Sequence, residues 1–240
     1  MRAMLKTYSK PLDYSYSIGV YPTLELLKSH PGNVLEVVID EKGLTNTGLN
    51  RIIETCKEIS IKVTVGPNTV RKLAKNENAY CLGVFNKYYP KLEKHKNHLV
   101  LVNPSDMGNL GTILRTALAF DVSDVALIKP ACDIFDPKVI RSSMGALFKI
   151  RFEYFDTFSD YLNRFENNIY TFRTNAKRDI NDCRFKTPCS LVFGNEGSGL
   201  PEEFGHIGEG ITIPQSDNVD SLNLSVAVGV ALQHAYVLKG

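Results

Sequence analysis

The 240-residue sequence predicts an α/β protein, with a mostly parallel sheet covered by helices on both faces and a smaller α/β unit before it. Three observations lead there. Short β-branched or apolar runs alternate along the chain with stretches of helical period. A polar, basic segment at 91–97 divides the chain into an expected small domain, 1–90, and a larger one, 98–240. The larger part then restarts on His98-Leu99-Val100-Leu101-Val102-Asn103, an apolar run that stops at Asn-Pro, as a strand entering a turn does.

In the small part, residues 17–29 have a helix-like pattern, and Val34-Leu35-Glu36-Val37-Val38-Ile39 is a strand ending in the turn residues Asp40 to Gly43. Thr45 to Ile59 opens on capping-type residues and spaces Leu49, Ile52, Ile53 and Cys56 as a helix would. Ile61 to Val65 is the next strand, 67–76 the next helix, and Tyr80 to Phe85 the closing strand. In the large part a helix is expected from Asn109 to Phe120. Strands are expected at Val125–Ile128, Ile150–Tyr154, Ile169–Phe172, Ser190–Phe193 and Ile211–Ile213, and a last helix from about Leu222 to Leu238. The sequence shows no internal repeat and no low-complexity tract.

Composition narrows the class. With 43% hydrophobic residues the chain can bury a substantial core. No apolar run approaches the roughly 20 residues of a membrane span. The opening Met1 to Tyr8 lacks the apolar stretch of a signal peptide, so the expected location is the cytoplasm. Five cysteines, an odd number without a C-x-x-C pair, point to reduced thiols rather than a disulfide or zinc framework. The net charge of +2 hides a split: residues 1–96 carry 15 Lys/Arg against 9 Asp/Glu, and residues 97–240 carry 13 against 17. Any attraction for phosphate is therefore expected mainly on the N-terminal part, although an excess of this size is also what an ordinary solvated surface shows.

Three segments carry chemistry. The first runs from Asn103 to Ala117. Its Leu110, Ile113, Leu114, Ala117 and Leu118 form one apolar stripe that leaves Arg115 free to meet an anion, and Gly108 and Gly111 let backbone approach at the helix start. The second is Phe193-Gly194-Asn195-Glu196-Gly197-Ser198-Gly199-Leu200-Pro201, where a strand breaks into three glycines around one carboxylate at a strand's C-terminal edge. It fits neither G-x-G-x-x-G, the P-loop nor G-x-S-x-G. The third is Ile211-Thr212-Ile213-Pro214, a polar loop, and Ser221-Leu222-Asn223-Leu224-Ser225, where Ser221 or Asn223 also suits an N-cap.

In this order and spacing the three segments resemble the motifs of the SpoU family of the SPOUT superfamily, the RNA ribose 2′-O-methyltransferases. The resemblance covers 97–240 and includes Arg141 to Phe148. The N-terminal part looks like the family's small substrate-binding domain of the ribosomal-protein-L30e type. There the usual closing His-Gln-Gly is replaced by Tyr80-Cys81-Leu82-Gly83. The resemblance implies a sheet whose C-terminal region forms a deep trefoil knot, a rare exception to unthreaded chains. It implies a catalytic set of Asn109, Arg115, Glu196, Ser221 and Asn223, with Arg115 holding an RNA phosphate and stabilising the developing alkoxide. Glu196 would orient Asn109 and Arg115 or help carry the proton.

It further implies S-adenosylmethionine as cofactor, contacted at Gly194, Asn195, Ile213 and Leu222, with Gly199 keeping the loop compact. No metal is implied, and His95-Lys96-Asn97-His98 suits a linker better than a ligand set. The implied partners are RNA, ribosomal more than transfer RNA, and a second copy bound through the C-terminal domain. A non-catalytic RNA-binding or assembly protein of the same fold is the competing reading.

Overall fold

The computed structural model describes residues 5–75 and 79–238, so residue 76 of the expected 67–76 helix lies outside them. Its contacts fall into two compact units, Met1–Tyr88 with Asp133–Lys149, and Tyr89–Cys132 with Ile150–Gly240.

The first unit is a four-stranded sheet. Its elements in chain order are β1 (Tyr14–Ile18), α1 (Val20–Ser29), β2 (Val34–Ile39), α2 (Thr47–Glu58), β3 (Val63–Val65), α3 (Pro67–Ala74) and β4 (Cys81–Asn86). The strand order is β1-β4-β2-β3, antiparallel except for β2 beside β3. The middle strands bury both faces, which is why Val37-Val38-Ile39 shows no polar alternation. Val38 and Leu82 pack with Val70 and Leu73 of α3, while Val37 and Ile39 pack with Leu27 of α1 and Leu49 and Ile52 of α2.

Two expectations need correction here. Residues 17 and 18 belong to β1 rather than to a helix, because Gly19 at φ +98 breaks the chain between strand and helix and Thr23 Oγ1 donates to the Ser17 carbonyl. The large part is also not one contiguous block. Residues 133–149, carrying α5 (Pro137–Ser142), fold with the first unit: Ser15 Oγ donates to the Phe135 carbonyl and Phe148 meets the Phe85 ring edge-on at 5.3 Å. Periodicity describes single elements and is blind to such a return of the chain.

The second unit holds β5 (His98–Val102), α4 (Met107–Ala119), β6 (Asp124–Ile128), β7 (Arg151–Phe155), α6 (Phe158–Leu162), β8 (Asn168–Phe172), β9 (Arg178–Asp179), β10 (Cys189–Phe193), β11 (Glu209–Thr212) and α7 (Leu224–Val237). All seven strands pair in parallel, in the order β7-β6-β5-β10-β8-β11-β9. One face packs Val100, Ala126, Ile128 and Val192 against Phe155, Phe158, Tyr161 and Phe165. Helices α4 and α7 lie against one another, and α7 against β10. His98 is 1% exposed with both ring nitrogens engaged: Nε2 donates to the Glu93 carbonyl at 2.8 Å, so Nδ1 accepts from the Tyr161 hydroxyl at 2.8 Å. The five cysteines are free thiols, and burial pushes Cys56 up to about 11 and Cys81 to about 12. No helix among the described residues is long and apolar enough to cross a membrane.

Candidate functional site

Parallel strands send their C-terminal ends the same way, so the loops after β5, β8, β10 and β11 gather at one edge of the second unit's sheet. The last three line a cavity of about 720 Å³, a volume suited to a small cofactor.

The β10 loop is closed on itself. Asn195 N–H donates to the Gly199 carbonyl at 3.1 Å and Gly199 N–H to the Asn195 carbonyl at 3.0 Å. The neck is so tight that a Cβ on Gly194 would lie 2.1 Å from the Gly199 carbonyl carbon, and Gly199 itself turns at φ +68. Within the loop, Asn195 Oδ1 accepts from Gly197 N–H at 2.9 Å and Ser198 N–H at 3.2 Å. Its Nδ2 reaches across to the Asn103 carbonyl at 2.8 Å.

Glu196 ties this loop to the one after β5. Oε2 accepts from the Ser105 hydroxyl at 2.8 Å and Ser105 N–H at 3.2 Å, and Oε1 accepts from Asp106 N–H at 3.1 Å. Burial alone would raise the Glu196 carboxyl, but these donors and its own backbone N–H hold it below the ordinary value of 4.5. Asp106 then caps α4, accepting from Asn109 N–H at 2.7 Å. Asn223 caps α7 through Oδ1, at 2.9 Å from Ser225 N–H, and turns Nδ2 to Asn109 Oδ1 at 3.2 Å. The N-termini of two helices are thus joined side by side.

Among the expected site residues, Gly194, Asn195, Glu196, Gly199, Ile213, Ser221 and Leu222 line the cavity. Asn109 and Asn223 bond to each other at its margin. Arg115 stands exposed on α4, outside the cavity lining, with no hydrogen-bond or ion-pair partner among the described residues. The expected orienting role of Glu196 needs correction: it bonds neither Asn109 nor Arg115, and reaches Asn109 only through Asp106. Ser105 and Asp106 sit inside a motif that the sequence marks, yet nothing in their spacing announced the contact with Glu196. Arg173, at the end of β8, also lines the cavity, and a lone arginine after an apolar strand carries no motif. Among the described residues, no group of three or more His, Cys, Asp or Glu is placed to hold a metal ion.

A parallel α/β sheet with a glycine-closed loop over a cavity at its C-terminal edge defines a ligand-binding α/β protein of the kind that places small cofactors there. The chain belongs to the SpoU rRNA methylase family, whose model matches residues 96–233. It is 35% identical over 141 residues to an uncharacterised tRNA/rRNA methyltransferase of Synechocystis sp., a match covering 57% of this chain and 52% of that relative, so the shared region is about half of that protein. A 23S rRNA (guanosine-2′-O-)-methyltransferase of Acinetobacter baylyi is 26% identical over 238 residues, covering 92% of this chain and 96% of the other. The fold is similar to that of the SpoU methyltransferase AviRb of Streptomyces viridochromogenes in complex with the cofactor AdoMet, with a TM-score of 0.83 at 20% identity, over 95% of this chain and 91% of that one.

Proposed function

We propose that this protein transfers a methyl group from S-adenosylmethionine to a ribose 2′-hydroxyl of structured RNA, ribosomal RNA before transfer RNA. The observation that carries the reading is the Gly194–Gly199 loop with Glu196 and Ser221 lining one cavity, and the Asn109–Asn223 pair formed beside lining residues Leu222 and Leu224, on a chain of this family.

The residues present fit the cofactor. Only glycine is tolerated at 194, so the cavity wall there is bare backbone, with Ile213, Leu222 and Leu224 supplying apolar contact for a purine. When bound, S-adenosylmethionine supplies an electrophilic methyl group on a sulfonium. The protein's share is to position the ribose and favour loss of the hydroxyl proton. Arg115, unpaired and exposed, is suited to hold an RNA phosphate and to stabilise the developing alkoxide; a guanidinium with a pKa above about 12 makes a poor general base. Ser221 and Asn223 would hold loop and ribose, and Glu196 fixes the turn on which Asn109 depends.

The same reading includes a trefoil knot in the C-terminal region, an L30e-like RNA-binding role for the first unit with its basic excess, a cytoplasmic location and homodimerisation through the second unit. An apolar stripe on α7 supports the dimer: Val226, Val230 and Val237 share one helix face and are 50%, 38% and 61% exposed. The test is transfer of radiolabelled methyl to total RNA, followed by mapping of 2′-O-methyl positions in wild-type and deletion strains. Loss of one ribosomal position on deletion is expected. A lost transfer-RNA position would redirect the substrate, and no cofactor binding by calorimetry would favour the non-catalytic alternative.

A further inference from the structure

Arg173 follows β8 directly, and the residue before it, Phe172, stacks on Phe193 at 4.4 Å between ring centres, inside the cavity wall. Its backbone is fixed, the N–H donating to the Ile211 carbonyl at 2.9 Å. Its side chain is not. Nε is buried and has no acceptor among the described residues, and neither do the other guanidinium nitrogens. A buried, unpaired donor of a charged group is costly unless something supplies the acceptor.

The seat of the guanidinium is built. A Cβ on Gly210 would lie 2.3 Å from Nη2, and one on Gly205 would lie 3.5 Å from Nη1, so the first glycine leaves space that any side chain would take from the arginine. None of the acids lining the cavity, Glu196, Glu202 or Asp220, pairs with it. Glu196, the carboxylate nearest the loop neck, already accepts from Ser105 and Asp106 with both oxygens.

We propose that Arg173 binds the carboxylate of the methionyl part of S-adenosylmethionine. The inference rests on the reading of the cavity as the cofactor site. The cofactor has one anionic group, and guanidinium–carboxylate pairing is a strong, geometrically selective contact. A donor recessed in a cavity wall suits a small carboxylate entering that cavity. A phosphate on a bulky polymer would instead meet an exposed arginine such as Arg115.

The experiment is calorimetric titration of the full chain with S-adenosylmethionine and with its decarboxylated analogue. The wild type should bind the first about 10- to 100-fold more tightly than the second. Arg173→Met should remove that difference by weakening the intact cofactor alone. Gly210→Ala, which displaces the guanidinium without deleting it, should move affinity in the same direction by a smaller factor. Equal losses for both ligands, or unchanged binding of the intact cofactor, would overturn the proposal. So would a variant that kept cofactor affinity and lost RNA affinity, since that assigns Arg173 to phosphate. If Arg173→Met does not fold, the wild-type ratio and the Gly210→Ala variant still decide. Failure of the wild type to bind either ligand would instead refute the cofactor reading of the cavity.

Discussion

The Ser105 hydroxyl donates to Glu196 Oε2 at 2.8 Å, joining two loops whose residues stand 91 apart in sequence. With the Asp106 N–H on the other oxygen, one carboxylate sets the turn that begins α4. Glu196→Ala leaves the Ser105 hydroxyl, the Ser105 and Asp106 N–H groups and Asn195 Nδ2 without this acceptor and should lower unfolding free energy by about 1–2 kcal/mol, a figure reduced for partial exposure. The pH dependence has a definite sign. The folded pKa lies below the ordinary 4.5, so the contribution is fully present above that value and is lost as pH falls through the lower folded pKa. Urea unfolding between pH 6 and 3 should show this loss in the wild type and a flatter limb in Glu196→Gln.

At the loop neck, Gly194→Ala forces a methyl group against the Gly199 carbonyl carbon and the Leu200 nitrogen, 2.1 and 2.3 Å away. Backbone must shift, and Gly199 at φ +68 cannot follow without losing its pair of hydrogen bonds to Asn195. Cofactor affinity should fall at least about tenfold while the far-ultraviolet spectrum stays native, since the loop is outside the sheet. Unchanged calorimetric affinity would show that the neck does not shape the site.

His98 offers a second pH window. Burial holds its pKa below 6.5, and both nitrogens are committed with the ring neutral. A depressed pKa means that the unfolded chain binds the proton first, so stability is full above 6.5 and falls as pH drops below it. His30, lowered by burial in the first unit, acts in the same direction. Denaturation at pH 7 and pH 5 should show the fall, and His98→Asn should reduce the slope. Tyr161→Phe removes the donor to Nδ1 and should cost about 1–2 kcal/mol at pH 7.

The strand and helix pattern was legible because each element has its own period, and the apolar runs at His98–Val102 and Ser190–Phe193 fall on adjacent parallel strands. Three glycines about a carboxylate marked the β10 loop, since a tight turn and a ligand both demand that composition. Whatever depended on partners distant in the chain stayed hidden. Glu196 finds Ser105 rather than Arg115, residues 133–149 return to the first unit, and the Arg173 guanidinium lies against Gly210, a residue far from it in sequence. Ser17 and Ile18 read as helix because the run beyond them is helical, and Gly19 alone marks the break.

The α7 stripe makes a prediction about assembly. Val226 and Val230 lie one turn apart, and burying the half of each that is exposed contributes on the order of 1–2 kcal/mol per protomer. Val226→Lys with Val230→Lys should therefore shift sedimentation from dimer to monomer, and lower the thermal midpoint only by what dimerisation itself contributed, because neither side chain is in the core. A wild type that sediments as a monomer at micromolar concentration would refute the dimer.

Arg115 allows the proposed catalysis to be tested apart from folding. It is exposed, has no partner among the described residues, and shares α4 with the buried Leu110, Ile113, Leu114 and Ala117 that hold the helix in place. Its side chain is exposed and outside the buried stripe, so its removal should change stability by less than about 0.5 kcal/mol. If the guanidinium stabilises charge developing on the ribose oxygen, Arg115→Ala should lower kcat by about 100- to 1000-fold with cofactor affinity intact. Arg115→Lys keeps the charge and loses the planar fork, so it should recover only part of that loss. The radiolabel transfer assay reads all three proteins. Full activity in the alanine variant would remove Arg115 from the chemistry, whereas equal rates for lysine and arginine would reduce its role to charge alone.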